Sequence, residues 1–368
     1  MTENDKALYP IRFKEVLRNY GFGDRWIVSE FEKVDLPEDH RIAETWEVCD
    51  RPGESNEILN GWMAGMTLRE AMDDLGEALM GRAIVDRFGS KFPLIIKILD
   101  SSNVLWEHEH PDDVFVKEHG LDDNSGKTEA WYMLRAKPGA TILAGHKPGL
   151  TPEQFREALL EDRSRGCMKE YTVEVGDSFL LPAGTMHYSA GGLIFYEIMQ
   201  NSDLNVGLRQ RPGMEDVEAW ADNAVAATHF EDEFDCRTRP VSIQVGANKR
   251  SWVIVCSYFA VERLDLVEPY TFTQHGARFR FLTAIEGHVD VHTVGGSEQL
   301  KSGWSCMLPA KAGEVTITPE GKAALLMAYV PDLEKNVVKP LREHGVSDAA
   351  IRDVGGRSEL NPLNALTE

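Results

Sequence analysis

Basic residues are the scarce charge in this 368-residue chain: 39 Lys and Arg stand against 60 Asp and Glu, a formal net charge of -21. So negative a molecule disfavours general binding to nucleic acid or to an anionic membrane. A small anionic substrate stays open, because a few local lysines and arginines can set the potential inside a pocket. Cysteine is sparse as well. Cys49, Cys167, Cys236, Cys256 and Cys306 are odd in number, widely spaced and free of any C-x-x-C pair, which argues against a disulfide framework and against a thiolate zinc site. Reduced, mostly buried thiols are expected, none beside a histidine in a nucleophile motif. Long apolar runs are missing too. Stretches such as 92–96 fall far below the length that spans a bilayer, and the polar, acidic start Met1-Thr2-Glu3-Asn4-Asp5-Lys6 has no apolar core behind it. The expectation is a cytoplasmic protein with neither a membrane nor a nucleic acid as partner.

What is present suits an ordinary globular protein. The chain is 42% hydrophobic and 27% charged, and its length suits two or three compact units. Its periodic segments read as short strands: 92–99, 130–135, 171–175, 178–181, 193–199, 252–259, 279–285, 288–293 and 323–330. Many short strands punctuated by glycine and proline predict sandwiches or barrels. Helices are fewer. One starts at Thr67 with a capping box to Glu70, carries Leu68, Met72, Leu75 and Leu79 on one face and stops at Gly89. A second starts at Thr151 with Pro152 at its first position and Phe155 and Leu159 on one face.

Chemistry concentrates around His108-Glu109-His110-Pro111-Asp112-Asp113. On an extended strand His108 and His110 point together, while Glu107 and Glu109 point the other way. An H-x-H pair alone is weak, but Glu129 follows and His187 comes after the turn Pro182-Ala183-Gly184-Thr185, at the rigid end of a strand. Three imidazoles and a carboxylate with coordination positions left open suit a catalytic divalent ion better than a closed structural site.

A weak repeat accompanies these motifs. The segment 176–183, Gly-Asp-Ser-Phe-Leu-Leu-Pro-Ala, is echoed by 303–310, Gly-Trp-Ser-Cys-Met-Leu-Pro-Ala, so two related β-units are expected. Glu314 stands in the second copy where His187 stands in the first. His288 and His292 share a face there without a carboxylate motif, so the second unit is expected to hold no metal.

Several motifs in order resemble one family. Glu44-Thr45-Trp46-Glu47-Val48-Cys49-Asp50, Phe92-Pro93-Leu94-Ile95-Ile96-Lys97, His110-Pro111-Asp112-Asp113, Gly126-Lys127-Thr128-Glu129, the stretch from Gly176-Asp177 to His187, and Glu197 with Gln200-Asn201-Ser202-Asp203 are similar to the ordered signature of type I phosphomannose isomerases, members of the cupin superfamily. The match runs from about Trp46 to Asp203 and continues faintly through the second unit. The resemblance implies an all-β double-stranded β-helix, a jelly-roll bicupin with small helical insertions near 66–88 and 151–166. Its metal-binding cupin falls in 1–210, a connecting segment in 211–250 and a second, metal-free cupin-like domain in 251–368.

The resemblance also implies a metal held by His108, His110, Glu129 and His187, with Lys97, Lys127, Glu197 and Asp203 as polar pocket residues. Zinc is the expected ion. Two departures stand out. The family carries glutamine where this chain has His108, and the resulting shell of three histidines and a glutamate suits iron, manganese or nickel as well. Where the family carries an arginine, ungapped alignment puts Gly207, with Arg209 on the same strand face just beyond. The implied reaction is aldose to ketose isomerisation of mannose 6-phosphate or a related sugar through an enediolate. Glu197 would be base or proton shuttle, Lys127 and Lys97 cationic partners, and Arg209 a clamp. Three alternatives stay open: an isomerase or epimerase of an unphosphorylated or modified sugar, a metal-dependent oxygenase, and a sugar-binding cupin without turnover. Trp46 and Trp131 are expected to pack beneath the pocket or line it, and a homodimer is the candidate assembly.

Overall fold

The computed structural model describes residues 7–33, 36, 41–121, 125–230, 235–356 and 358–367; the polar start 1–6 lies outside them. Two antiparallel sandwiches make up the molecule. In the first, a six-stranded sheet runs in the order Val16–Arg18, Glu44–Val48, Leu94–Ser101, Leu193–Gln200, Glu129–Ala136, Ser178–Leu181. It faces a five-stranded sheet in the order Val206–Gly207, Leu105–Glu109, His187–Ser189, Thr141–His146, Met168–Thr172. The second sandwich repeats the plan. Its six strands are Val241–Val245, Asn248–Val255, Ala260–Leu266, Ala323–Tyr329, Arg280–Glu286 and Ser305–Leu308, and four strands cover them. Each copy of the sequence repeat supplies the same edge strand, Ser178–Leu181 in one unit and Ser305–Leu308 in the other.

The two six-stranded sheets share one apolar cluster, in which Ile96, Ile98, Tyr132, Tyr196 and Ile198 of the first unit meet Val253, Val261, Phe281 and Leu326 of the second. A strand in such a sheet is covered on both faces, which is why Leu94–Ser101 and Leu193–Gln200 are buried along their whole length and read as continuous apolar runs rather than alternating ones. Alternation survives in where each residue goes. Ile96 and Ile98 face the second unit, whereas Leu99 joins the interior of the first with Trp131, Met133 and Phe195. Lys97 and Glu197, out of phase with the isoleucines, therefore point into the first jelly roll.

Several expectations change in detail. The strand expected at 171–175 is Met168–Thr172, and the one expected at 252–259 begins at Asn248, where polar residues hide it from an apolar-run reading. The edge strands Tyr270–Gln274 and Gly296–Leu300 escaped for the same reason, and the inner strand Thr141–His146 was also missed. The helix expected from Thr67 to Gly89 is three short pieces, Leu68–Leu75, Glu77–Met80 and Arg82–Phe88. Its capping box is present, but Gly76 and Gly81 break it. Gly81 has φ +97, and a Cβ there would lie 2.4 Å from the Ala277 carbonyl oxygen of the second unit, so close docking and not periodicity sets the break. The helix Pro152–Leu160 starts at the expected proline, and a capping box between Thr151 and Gln154, not read from the sequence, closes its first turn. Within 211–250, read as a connection, lies the helix Val217–Ala227. Among the described residues no helix is long and apolar enough to cross a membrane.

Candidate metal centre and active-site cleft

The strand Leu105–Glu109 lies beside His187–Ser189 with His108 opposite His187, and Glu129 opens the neighbouring inner strand of the other sheet. The turn before His187 requires Gly184: its φ is +83, a Cβ would fall 2.0 Å from the His229 ring, and its N–H donates to the His110 carbonyl at 2.7 Å. That turn ties the third imidazole to the first pair. As a result the ligand-type atoms of His108, His110, Glu129 and His187 all lie within 4.8 Å of one another. Glu107 and Glu109 point away, the one to Arg165 and the other to Thr228. Asp112 and Asp113 do structural work. Asp112 caps the helix Asp113–Glu118 by accepting from Phe115 N–H at 2.7 Å, and Asp113 accepts from Gly126 N–H and from Tyr258 of the second unit.

Each imidazole is oriented from behind. His108 Nδ1 lies 2.6 Å from the Trp106 carbonyl, His110 Nδ1 2.8 Å from that of Leu204, and His187 Nδ1 2.8 Å from that of Thr185. With Nδ1–H donating to a carbonyl, each neutral ring presents its Nε2 lone pair to the cluster. His108 Nε2 and His187 Nε2 lie 2.9 Å apart, and the Glu129 oxygens lie 3.0 Å from His110 Nε2 and 3.1 Å from His187 Nε2. Both buried Glu129 oxygens lack a hydrogen-bond donor. So dense a set of lone pairs, deprived of water, is stable only around a cation, and the donor set fits a divalent metal. Lys127 supplies part of that charge, 3.1 Å from His110 Nε2 and 3.3 Å from Glu129.

Burial pushes the His110 imidazole down to about 3, with the Lys127 charge acting in the same direction, and burial together with the other two rings holds His108 well below its ordinary value. Burial would raise the Glu129 carboxyl, but Lys127, His110 and His187 overcome it and hold that group well below the usual range. All three side chains are thereby kept in the form that binds a metal.

A cleft of about 610 Å³ opens over this cluster, with Glu44, Trp46, Lys97, Lys127, Glu197 and Asp203 in its walls. A larger cavity of about 930 Å³, around Arg51, Arg69 and Tyr258, contains none of these groups. Lys97 Nζ sits 3.2 Å from Glu44 and 3.5 Å from Glu197, over the Trp46 ring at 4.5 Å. Burial would lower its ammonium, but Glu44, Glu197 and Asp203 more than compensate and raise it. Glu197 shares that one cation with Glu44, and its carboxyl is pushed up to about 7, first by burial and then by the Glu129 charge. Trp131 Nε1 donates to Glu197 Oε1 at 2.9 Å, and its ring meets His187 edge-on at 5.4 Å. Trp131 thus packs beneath the pocket, and Trp46 both packs and lines it.

Arg209 sits half-exposed at the rim, its guanidinium 5.0 Å from the Trp106 ring centre and its Nε 3.9 Å from Asp162. Arg211 was not singled out from the sequence, yet it lines the cleft and lies 3.7 Å from where a Gly207 Cβ would be. Glu44 is a further wall residue assigned no role by sequence; its place in the Glu44-Thr45-Trp46 motif was the available signal. In the second unit Glu314 is exposed while Val315 and Ile317 fill the interior, so linear alignment with His187 does not carry its orientation. His288 contacts Glu32 and Glu320 at the surface, and His292 is exposed. All five cysteines are free and buried.

Comparison with known proteins agrees with this architecture. Residues 11–139 match the family profile described as phosphomannose isomerase type I, catalytic domain, and 248–330 match mannose-6-phosphate isomerase, cupin domain. A Bacillus subtilis (strain 168) relative, described as probable mannose-6-phosphate isomerase GmuF, is 27% identical over 298 residues, 78% of this chain and 90% of the relative. The crystal structure of the mannose 6-phosphate isomerase from Bacillus subtilis superimposes with a TM-score of 0.75 at 23% identity, covering 87% of this chain and 99% of that one. A mannose 6-phosphate isomerase structure bound with zinc and yttrium has a TM-score of 0.70 at 19% identity, covering 86% and 98%. With an all-β fold of two jelly rolls and both profiles matched in order, the chain belongs to the type I phosphomannose isomerase family of enzymes in the cupin superfamily.

Proposed function

We propose that this protein is a metal-dependent aldose–ketose isomerase acting on mannose 6-phosphate, forming fructose 6-phosphate, or on a closely related sugar phosphate. The observation that carries this reading is the opening of one cleft onto both a cation-demanding cluster, His108, His110, Glu129 and His187, and a buried carboxylate–ammonium pair, Glu197 and Lys97. A zinc ion held by those four residues would supply Lewis-acid polarisation of the sugar oxygens; a related fold that binds zinc supports that choice.

Isomerisation moves a proton between adjacent carbons while an enediolate is stabilised. Glu197, with its carboxyl near 7, accepts the proton from one carbon and returns it to the next. Trp131 fixes the orientation of that carboxylate, and Lys97 neutralises it from the other side. Lys127 directs its charge at the developing oxyanion. Asp203 lies at the exposed edge of the cleft, and Arg209 and Arg211 supply rim cations for the phosphate in place of an arginine at 207.

The test is a coupled assay of purified, zinc-loaded protein with mannose 6-phosphate, beside free mannose, fructose and lyxose and a chelated control. Chelator-sensitive turnover of the phosphate is expected. Turnover of free sugars alone, or of none, overturns the proposal.

A further inference from the structure

Backbone register aligns the two jelly rolls residue by residue. Leu181 pairs with Glu129 and Leu308 with Arg280, and each leucine precedes Pro-Ala. Two residues further along, Trp131 faces Glu197 and Leu282 faces Met327. Glu197 in turn faces Lys97, which faces Trp46; Met327 faces Glu262, which faces Trp252. The register slips just after Trp46 and just after Trp252. Arg280 therefore holds the position of Glu129, and Glu262 that of Lys97.

At three positions the second mouth thus inverts the charge of the first: Arg280 for Glu129, Glu262 for Lys97 and Arg250 for Glu44. The ion pair of Lys97 with Glu44 becomes Glu262 with Arg250, whose Nη2 lies 2.8 Å from Glu262 Oε1. The cation stacked on Trp46 becomes the Arg250 guanidinium 4.3 Å from the Trp252 ring centre. Glu262 is fully buried and satisfied by Arg250 and Tyr329.

Arg280 is not. Its Nη1 donates to Gln274, its guanidinium lies beside the Phe272 and Tyr329 rings at 5.2 and 5.5 Å, and its buried Nε has no partner. Among the described residues it forms no ion pair with a carboxylate. Arg278, two residues earlier, donates to the Val330 carbonyl and to Asn336. Two guanidiniums, Arg250 and Arg280, accordingly act on one buried carboxylate, Glu262, an imbalance opposite in sign to that of the catalytic cleft. Burial pushes both Arg278 and Arg280 down from their ordinary values. Arg250, Phe272 and Arg280 keep partial exposure, so the group opens to solvent.

We propose that the mouth of the second jelly roll binds a small oxyanion, the phosphate or carboxylate of a metabolite, with Arg280 as its anchor. The unpartnered Nε and the fork geometry of guanidinium suit an oxyanion, and Gln274 holds the side chain in place. An unpaired buried cation costs stability unless a ligand needs it.

Two measurements on the full chain test this. Crystals soaked in tungstate are expected to show an anomalous peak beside Arg280. Phosphate, added at constant ionic strength, is expected to raise the Tm of wild type and of Arg211→Ala, and this rise is expected to be smaller in Arg280→Met, which keeps only the catalytic cleft's phosphate site and without phosphate melts no lower than wild type. An acetate response equal to that of phosphate, and equally dependent on Arg280, identifies a carboxylate ligand. A peak confined to the catalytic cleft, or an unchanged phosphate response in Arg280→Met, overturns the proposal. Should Arg280→Met fail to fold, the tungstate map of the wild type decides.

Discussion

Trp131 donates its indole N–H to Glu197 Oε1 at 2.9 Å while its ring meets that of His187 edge-on. A hydrogen bond to the charged form of a carboxylate favours that form. Trp131→Phe is therefore expected to move the acidic limb of the kcat/KM profile upward by about one to two pH units, given roughly 1.5–3 kcal/mol for a bond to a charged group. A shape-only role for Trp131 would leave the limb in place.

The pH dependence of the wild type follows from Glu197. A base must be ionised, and this carboxyl is pushed up to about 7 by burial and by the Glu129 charge. A divalent cation at Glu129 offsets the second cause. In the metal-loaded protein, activity should fall as the pH drops through a limb below 7, and the limb should vanish with turnover in Glu197→Gln while fold and metal content persist. Near-normal turnover in that variant would remove Glu197 as base.

Removal of one proposed metal ligand has a direct readout. His187→Ala should lose at least tenfold in zinc affinity, about the lower bound of the range seen for disturbing even the groups behind a ligand. Metal analysis after gel filtration distinguishes this from a variant that keeps one equivalent and loses turnover alone.

Gly184→Ala tests the turn that mounts His187. Its φ of +83 is costly for an L side chain by about 1–3 kcal/mol, and the added Cβ collides with His229. Lower Tm and lower zinc occupancy together are expected; a loss of Tm with full occupancy would mean that the turn does not orient the ligand.

A buried network joins the two units away from the cleft. Lys33 Nζ lies 2.8 Å from both Glu15 and Glu47, and Glu47 also accepts from Ser305 of the second unit at 2.9 Å. Lys33→Met strands a buried carboxylate, and about 3–5 kcal/mol of unfolding free energy should be lost in urea titrations. Additional loss on raising the pH is expected as well, because burial already raises the Glu47 carboxyl and ionising it without Lys33 costs more.

Much of this site could be seen before any fold was known, because strands obey a two-residue period. That period put His108 and His110 on one face and Glu107 and Glu109 on the other. The ordered motifs brought in Lys97, Lys127, Glu129, His187, Glu197 and Asp203, and the Leu-Pro-Ala echo announced a second unit. Local chemistry alone also specified the helix starts, at Thr67 through a capping box that involves only residues three apart and at Thr151 through the proline that follows it.

Contacts between distant segments decided the rest. Gly81 breaks a periodic helix because the second unit's backbone lies against it, and Glu314 turns outward because strand pairing, not linear spacing, sets orientation. The partnership of Trp131 with Glu197, the approach of Arg211 to Gly207 and the inversion of charge between Glu129 and Arg280 depend on which strands lie side by side. A periodicity records the face a side chain occupies; only the pairing of strands remote in sequence determines what that face meets.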